Sequence, residues 1–208
     1  MLMIHHLGQS VSERIVWLCE ELELPYEIKR YERQTNLLAP PEYKALHPGG
    51  TAPVIRDGDV TLAESGAVVD YVLRKYAAGR LLTDVDDPRF SDYLYWFHYA
   101  NGSVLPFVIR AMNRAGRDSA AQEVFDTREK LMLEMIEKRL AANEWFAGSD
   151  FTGADIMMAM PLSSLHKLSP HQPRENRHIR TYLSRVSSRP AFQRAMAKAD
   201  PDAPRTLQ

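Results

Sequence analysis

Ser10 and Ser12 precede a run in which Ile15, Leu18, Cys19 and Leu22 recur at helical spacing, so both hydroxyls stand where a helix begins. The first amides of a helix lack intrahelical partners, and its dipole favours negative charge there. Three kinds of chemistry suit a serine so placed. It can cap the helix, since serine is a favoured N-cap residue. It can donate a hydrogen bond to an anion. It can act as a covalent nucleophile if His6 or another histidine lies within reach and an acid orients the ring, although no nucleophile-elbow pattern surrounds it. Glu64 and Ser65 open a second helix. A hydroxyl and free amides suit a carboxylate there, and Glu64 suits an ammonium group. The plainer readings are a cap and a solvated charge.

Other residues invite chemistry less strongly. Tyr95, Tyr99 and Ser103 follow one another four residues apart, a stripe of three hydroxyls that could line a mixed aromatic and polar pocket or pack against a partner subunit. Cys19 lies on the apolar stripe of the first helix, beyond its opening turn, and reads as a buried small hydrophobe rather than a redox thiol. Met157, Met158 and Met160 read as core filling. The seven histidines show no helical pair four apart and no cysteine at ligand spacing, so no metal is expected. His5 and His6 are neighbours on a strand and point to opposite faces.

The 26 basic and 27 acidic residues leave a formal charge of -1, which sets up no field to recruit nucleic acid or an anionic membrane. No apolar run reaches ~18 residues and no signal-peptide pattern opens the chain, so a cytoplasmic protein is expected. The single cysteine excludes an internal disulfide framework and agrees with a reducing compartment.

These groups are carried by a sequence of recognisable elements. Residues 2 to 7 read as a strand, a helix runs from Ser10–Ser12 to Pro25, and Tyr26 to Tyr31 alternates as a second strand. An irregular arm with a short helix spans 32 to 50, punctuated by prolines and glycines. Ala52-Pro53 opens a third strand, Asp57-Gly58 predicts a two-residue type I′ turn, and a fourth strand leads into the helix from Ser65 to Tyr76. Residues 79 to 89 read as a linker. Beyond it the period is helical throughout: one helix from Phe90 to Arg114 bent near Gly102 and Pro106, then Ala120 to Asn143. Thr152 and Asp155 predict a capping box flanked by the staple pair Phe151 and Ile156. Asn176 to Ser187 and Pro190 to Ala199 are the last helices, and little order is expected from Asp200 onward.

The stretch HPGGTAPVIRDGDVTLAESGAVVDY, His47 to Tyr71, resembles the soluble glutathione transferases, in particular a bacterial and fungal branch whose members read HPxGxxPVI and AESGA. Ser10-Val-Ser-Glu-Arg14 upstream, with Phe151-Thr-Gly-Ala-Asp155 and Arg189-Pro-Ala-Phe192 downstream, extends the resemblance over nearly the whole chain. It implies an α/β thioredoxin-like domain with a mixed four-stranded sheet over residues 1–78, a linker over 79–89 and an all-helical domain over 90–208.

The resemblance also implies a site. Pro53 would follow a cis bond, and the Ala52 main chain would pair with the cysteinyl backbone of glutathione. Ser65 would hold the γ-glutamyl carboxylate and Glu64 the adjacent ammonium group. Ser10, four residues before Arg14 as in the serine-type branches, would hold the sulfur as thiolate, with Ser12 the second choice. Other branches use a tyrosine near the end of the first strand, where this chain has His5 and His6. A free thiol has a pKa near ~8.5, and lowering it by about two units requires roughly 2.7 kcal/mol of selective stabilisation. Many relatives place a cation for the glycyl carboxylate where this chain has Thr51; Lys44, His47 and Gln34 remain open substitutes. The electrophile would lie between the domains against Tyr95, Tyr99 and Ser103. Reduced glutathione would be a co-substrate rather than a resident cofactor, and a homodimer is implied. Two alternatives stand beside transfer: a transferase-shaped regulator without catalysis, and a glutathione-dependent peroxidase or dehalogenase.

Overall fold

The computed structural model describes the chain except for residues 113–118, 170–175, 203–206 and 208. Two compact units emerge. Met1–Leu82 joins with Ser187–Arg205, and Thr83–Val186 joins with Thr206–Gln208.

The first unit is built on β1 (Leu2–Leu7), α1 (Glu13–Glu21), β2 (Tyr26–Tyr31), α2 (Pro41–Lys44), β3 (Val54–Asp57), β4 (Val60–Ala63) and α3 (Ser65–Tyr76). Its sheet has the order β2-β1-β3-β4. β1 runs parallel to β2, while β3 runs antiparallel to both β1 and β4. The central β1 is apolar because both its faces are covered: Ile4 is fully buried with Ile15, Leu18, Val68 and Val72 of the helices. Leu7, on alternate parity, joins Tyr31, Tyr43, Val54 and Ala63 in a cluster with the arm.

The hairpin turns one residue later than its sequence suggests. Asp57 ends β3, the loop is Gly58–Asp59, and of the two only Gly58 has positive φ, at 59°. That is the φ pattern of a II′ rather than a I′ turn. Asp57 is drawn into the strand because its carboxylate has work elsewhere. Tyr71 (2.9 Å), Tyr76 (2.5 Å) and Lys75 (2.6 Å) all donate to its Oδ2. The far end of α3 is thereby tied to the sheet, which fixes the direction of its opening turn.

A further helix, α9 (Pro190–Ala199), packs on α1. Trp17 and Phe192 meet edge to face at 5.3 Å. Arg189 forks onto Glu21 at 2.6 and 2.8 Å, and Glu20 receives Arg194 at 2.9 Å and Lys198 at 2.5 Å. These contacts explain why 187–205 group with the sheet, whereas the sequence division at 1–78, 79–89 and 90–208 follows chain order. They also correct the expectation of little order from Asp200. Asp200 is buried, and its carboxylate binds His6 and the Gln9 amide, so the polar tail begins as part of the core.

The second unit contains α4 (Phe90–Tyr99), a π-helical turn (Ala100–Val104), α5 (Leu105–Met112), α6 (Ser119–Ala142), α7 (Gly153–Leu168) and most of α8 (Arg177–Ser187). The long helix expected from Phe90 is therefore interrupted by a wider turn around Gly102. Its expected end at Arg114 lies outside the described residues. At the start of α7, Thr152 Oγ1 accepts the Ala154 amide and Asp155 accepts the Thr152 amide at 2.9 Å, completing the capping box. Asp155 also accepts the Phe146 amide at 3.0 Å, so the box pins the preceding loop as well as the helix. Among the described residues no helix is long and apolar enough to cross a membrane.

Hydrogen bonds from Lys75 and Tyr76 hold the Asp57 carboxyl down to about 2, against a small opposing effect of burial. The folded value lies below the ~3.9 of an unfolded aspartate, so its stabilisation is present above about pH 4 and lost as pH falls through about 2. Asp57→Asn is expected to lower the denaturant midpoint at neutral pH, with the deficit shrinking toward pH ~2. A deficit that persists undiminished in acid would refute the ionic role.

Candidate functional site

The turn joining β1 to α1 carries the expected sulfur-binding group. Gln9 there is in the left-handed region at φ 51°, an uncommon conformation for a residue with a side chain. Two distant residues hold the turn. Asp200 accepts the Gln9 amide at 3.2 and 3.3 Å, and Arg33 donates to the carbonyls of Gly8 (2.9 Å) and Gln9 (3.3 Å). Ser10 is partly exposed and Ser12 is fully buried. Ser12 occupies the N-cap position of α1, but its side chain makes no capping bond. Its hydroxyl instead lies 2.6 Å from Ser10 Oγ and 2.8 Å from His6 Nδ1. His6 Nε2 faces Asp200 Oδ2 at 3.0 Å.

A serine, a histidine and an acid are thus aligned, but the serine against the ring is Ser12. A hydroxyl with no exposure cannot attack a substrate, which removes the geometric basis for Ser10 as a nucleophile activated directly by histidine. Burial alone would raise the Asp200 carboxyl, but the hydrogen bonds from His6 and the Gln9 amide act against it and the group is held below the usual range. Asp200 is therefore a carboxylate at neutral pH. His5, on the opposite face of β1, meets the Tyr31 hydroxyl at 2.9 Å and takes no part in this chain of bonds.

In the first turn of α1, Arg14 is fully buried and donates to Ser65 Oγ at 3.4 Å. Burial lowers the guanidinium to about 10, and the negative charges of Glu64 and Glu13 act against that. Arg14 thereby joins the opening turn of α1 to the opening turn of α3. Glu64 precedes α3 at φ 72° and ψ 113°, with its side chain accepting the Gly66 amide at 3.4 Å. A non-glycine residue there costs on the order of 1–3 kcal/mol, and such outliers gather where ligands are clamped. Ser65, the first residue of α3, is buried, while Glu64 is exposed. The Ala52–Pro53 bond is cis, and Ala52 is half-buried immediately before β3.

The arm residues offered for the glycyl end differ in availability. His47 Nδ1 accepts the Gly49 amide at 3.1 Å, which engages its ring. Thr51, Lys44 and Gln34 are exposed.

In the second unit, Tyr95, Tyr99 and Ser103 line one groove of about 560 Å³ with Ser91, Leu94 and His98. The Tyr95 and Tyr99 rings stack at 5.2 Å, and the Tyr95 hydroxyl turns to Met135 Sδ at 3.5 Å. Burial, then the neighbouring Tyr95, pushes Tyr99 up to about 12, so it is a neutral donor. Met157 and Met158 are fully buried core, and Met160 is half-buried. Among the described residues no group of three His, Cys, Asp or Glu side chains could hold a metal ion.

Sequence reasoning missed Arg14 as a bridge, Arg33 as a carbonyl clamp and Asp200 altogether. Only Arg14 left a signal, its fixed spacing from Ser10.

A four-stranded mixed sheet with a positive-φ acid at the start of α3, joined in one chain to a helical unit, is the arrangement that the sequence resemblance to the glutathione transferases implies. Comparison with known proteins agrees. Residues 10–75 match the family model for the glutathione S-transferase N-terminal domain, and 99–190 match that for the C-terminal domain. The chain is 33% identical to glutathione S-transferase 3 of Schizosaccharomyces pombe over 96% of this chain and 88% of that protein. It is 27% identical to glutathione S-transferase GstB of Escherichia coli over 88% and 91%. A glutathione S-transferase structure from Actinobacillus pleuropneumoniae superposes with TM-score 0.89 at 33% identity, covering 96% of this chain and 93% of that one. A theta-class enzyme from Xanthomonas axonopodis, solved with glutathione bound, gives TM-score 0.73 at 25% identity over 93% and 96%. The chain belongs to the glutathione S-transferase family and is a glutathione transferase, with glutathione as co-substrate. Neither a non-catalytic regulator nor a peroxidase or dehalogenase is favoured by these likenesses.

Cys19 has no exposure, and burial, then the charge of Glu20, pushes its thiol up to about 12. A thiol-alkylating reagent is expected to leave the native protein unlabelled and to modify one cysteine after unfolding. Rapid labelling of the native protein would contradict this burial and reopen a redox role.

Proposed function

We propose that Ser10 donates its hydroxyl to the glutathione sulfur and holds it as thiolate, while Ser65 and the opening amides of α3 receive the γ-glutamyl carboxylate. Glu64 meets the adjacent ammonium group, and the Ala52 main chain pairs with the cysteinyl backbone. Pro53 shapes the approach of the strand. The observation that carries this reading is the Arg14 bridge, which joins Ser65 at the start of α3 to the first turn of α1, just after Ser10 in the chain.

A hydroxyl donating to a charged acceptor contributes about 1.5–3 kcal/mol, and a helix N-terminus about 0.3–1 kcal/mol more. Together they meet the roughly 2.7 kcal/mol that a two-unit fall in thiol pKa requires. The thiolate then attacks an electrophilic carbon. The apolar groove with Tyr95, Tyr99 and Ser103 offers a surface for that substrate, with the Tyr99 hydroxyl as a neutral donor. A cytoplasmic homodimer completes the reading, on the strength of the family resemblance.

Ser10→Ala is expected to raise the pKa of bound glutathione by about one to two units, read from thiolate ultraviolet absorbance against pH. Glutathione affinity should change little and kcat/KM should fall at least about tenfold at neutral pH. An unchanged thiol pKa in that variant would overturn the role of Ser10.

A further inference from the structure

The hydroxyl of Ser10 can serve a thiolate only if its hydrogen points outward, and the bonds around it decide whether it does. Asp200 is a carboxylate, so His6 Nε2 carries a hydrogen and donates to it. In the neutral ring, Nδ1 is then an acceptor. Ser12 gives its single hydrogen to Nδ1 at 2.8 Å rather than to the more distant Leu7 carbonyl at 3.4 Å, while its oxygen accepts the Leu7 amide at 3.3 Å. With that hydrogen committed, the 2.6 Å contact between the serines is closed by Ser10 donating to Ser12. Ser10 Oγ also accepts the Ser12 amide at 3.3 Å. In this state its hydrogen faces inward, away from any ligand. Protonation of Nδ1 reverses every bond in the row: the ring donates to Ser12, Ser12 donates to Ser10, and the Ser10 hydrogen is released.

Resting on the role proposed for Ser10, we infer that His6 receives the proton of the glutathione thiol through Ser10 and Ser12, with Asp200 as the positioning residue that fixes its ring. The thiol S–H bond breaks as its proton passes to Ser10 Oγ. Ser10 passes its own hydrogen to Ser12, and Ser12 passes its hydrogen to His6 Nδ1. The products are a thiolate accepting a hydrogen bond from Ser10, and an imidazolium balanced by Asp200. No proton is gained or lost overall. A thiol can therefore ionise without releasing its proton to bulk water, and the same shift turns the stabilising hydroxyl toward the sulfur.

The charged groups around the ring are consistent with this role. Asp200 reaches it from the end of α9, and the Glu13 carboxyl at the start of α1 lies within hydrogen-bonding reach of Asp200. On the β2 side, Glu32 and Asp200 flank Gly8, each about a van der Waals contact from where a side chain there would begin. Arg33 points its guanidinium at the carbonyls of Gly8 and Gln9.

Nitrogen-15 NMR of the histidine rings in the whole protein tests the inference without any substitution. Glutathione at neutral pH is expected to convert His6 from the neutral form, protonated at Nε2, to the doubly protonated form. S-methylglutathione, which has no thiol proton, should bind and leave His6 neutral. A glutathione complex whose sulfur is ionised while His6 stays neutral would overturn the relay. Asp200→Asn provides a second readout, since an amide can donate to Nε2 and shift the ring hydrogen to Nδ1. With Nδ1 already carrying a hydrogen, the row has no acceptor at its end, so His6 in that variant should stay neutral when glutathione binds, with S-methylglutathione affinity unchanged. A doubly protonated His6 in the glutathione complex of that variant would refute the positioning role. If Ser10→Ala leaves the thiolate intact, the role of Ser10 itself fails; if it removes the thiolate while His6 takes up no proton in the parent, only the relay fails.

Discussion

The carboxylate of Asp200, at the end of the last helix, pins the turn in which Ser10 sits. A charge taken out of water must be met by hydrogen bonds or by opposite charge, and this one is met by hydrogen bonds from the Gln9 amide and the His6 ring. Gln9 can then hold a left-handed conformation that its side chain disfavours, because Asp200 and Arg33 restrain the turn from two sides. The position of Asp200 depends in turn on α9, which is locked to α1 by Phe192 against Trp17 and by three cations on Glu20 and Glu21. Burial would favour the neutral Glu20 carboxyl, but the bonds from Lys198, Tyr26 and Arg194 hold it below its ordinary value. The conformation of the turn at the tenth residue is thus held by packing some 180 to 190 residues later in the chain.

The other half of the proposed glutathione site is held by two ties of different kinds. Asp57 gathers Tyr71, Lys75 and Tyr76 at the far end of α3, which orients the helix. Arg14 reaches its near end and contacts Ser65. A buried guanidinium is expensive to desolvate, and removing its partners would leave that cost uncompensated. The negative charges of Glu64 and Glu13 act to keep it protonated, so the residues that form the site also stabilise the cation that joins it. The strained Glu64 backbone is held between β4 and α3 by these same supports.

Much of this was legible in the sequence, for identifiable reasons. The element order followed from hydrophobic period and from prolines and glycines, and the capping box at Thr152 and Asp155 from a local four-residue pattern. Ser10, Pro53 and Glu64-Ser65 were visible because they stand at element boundaries, where spacing is informative. The hairpin was displaced by one residue because turn propensity ranks Asp-Gly highly but says nothing about three donors waiting for Asp57 on α3. The π-helical turn at Ala100–Val104 differs from an α-helix by one residue in the span of its hydrogen bonds, too little for a periodicity argument to detect. Asp200 was misread as the start of a loose tail because its partners, His6 and Gln9, are adjacent only once the chain has folded. Arg33 left no signal in the sequence, since nothing local records that it closes on the carbonyls of Gly8 and Gln9.

The most direct test of the account is a crystal structure of the protein with reduced glutathione bound. The sulfur should lie within hydrogen-bonding reach of Ser10 Oγ, with the γ-glutamyl carboxylate on Ser65 and the first amides of α3. A ligand whose carboxylate sits on Ser65 but whose sulfur rests on another donor, or one bound away from both helix starts, would contradict it.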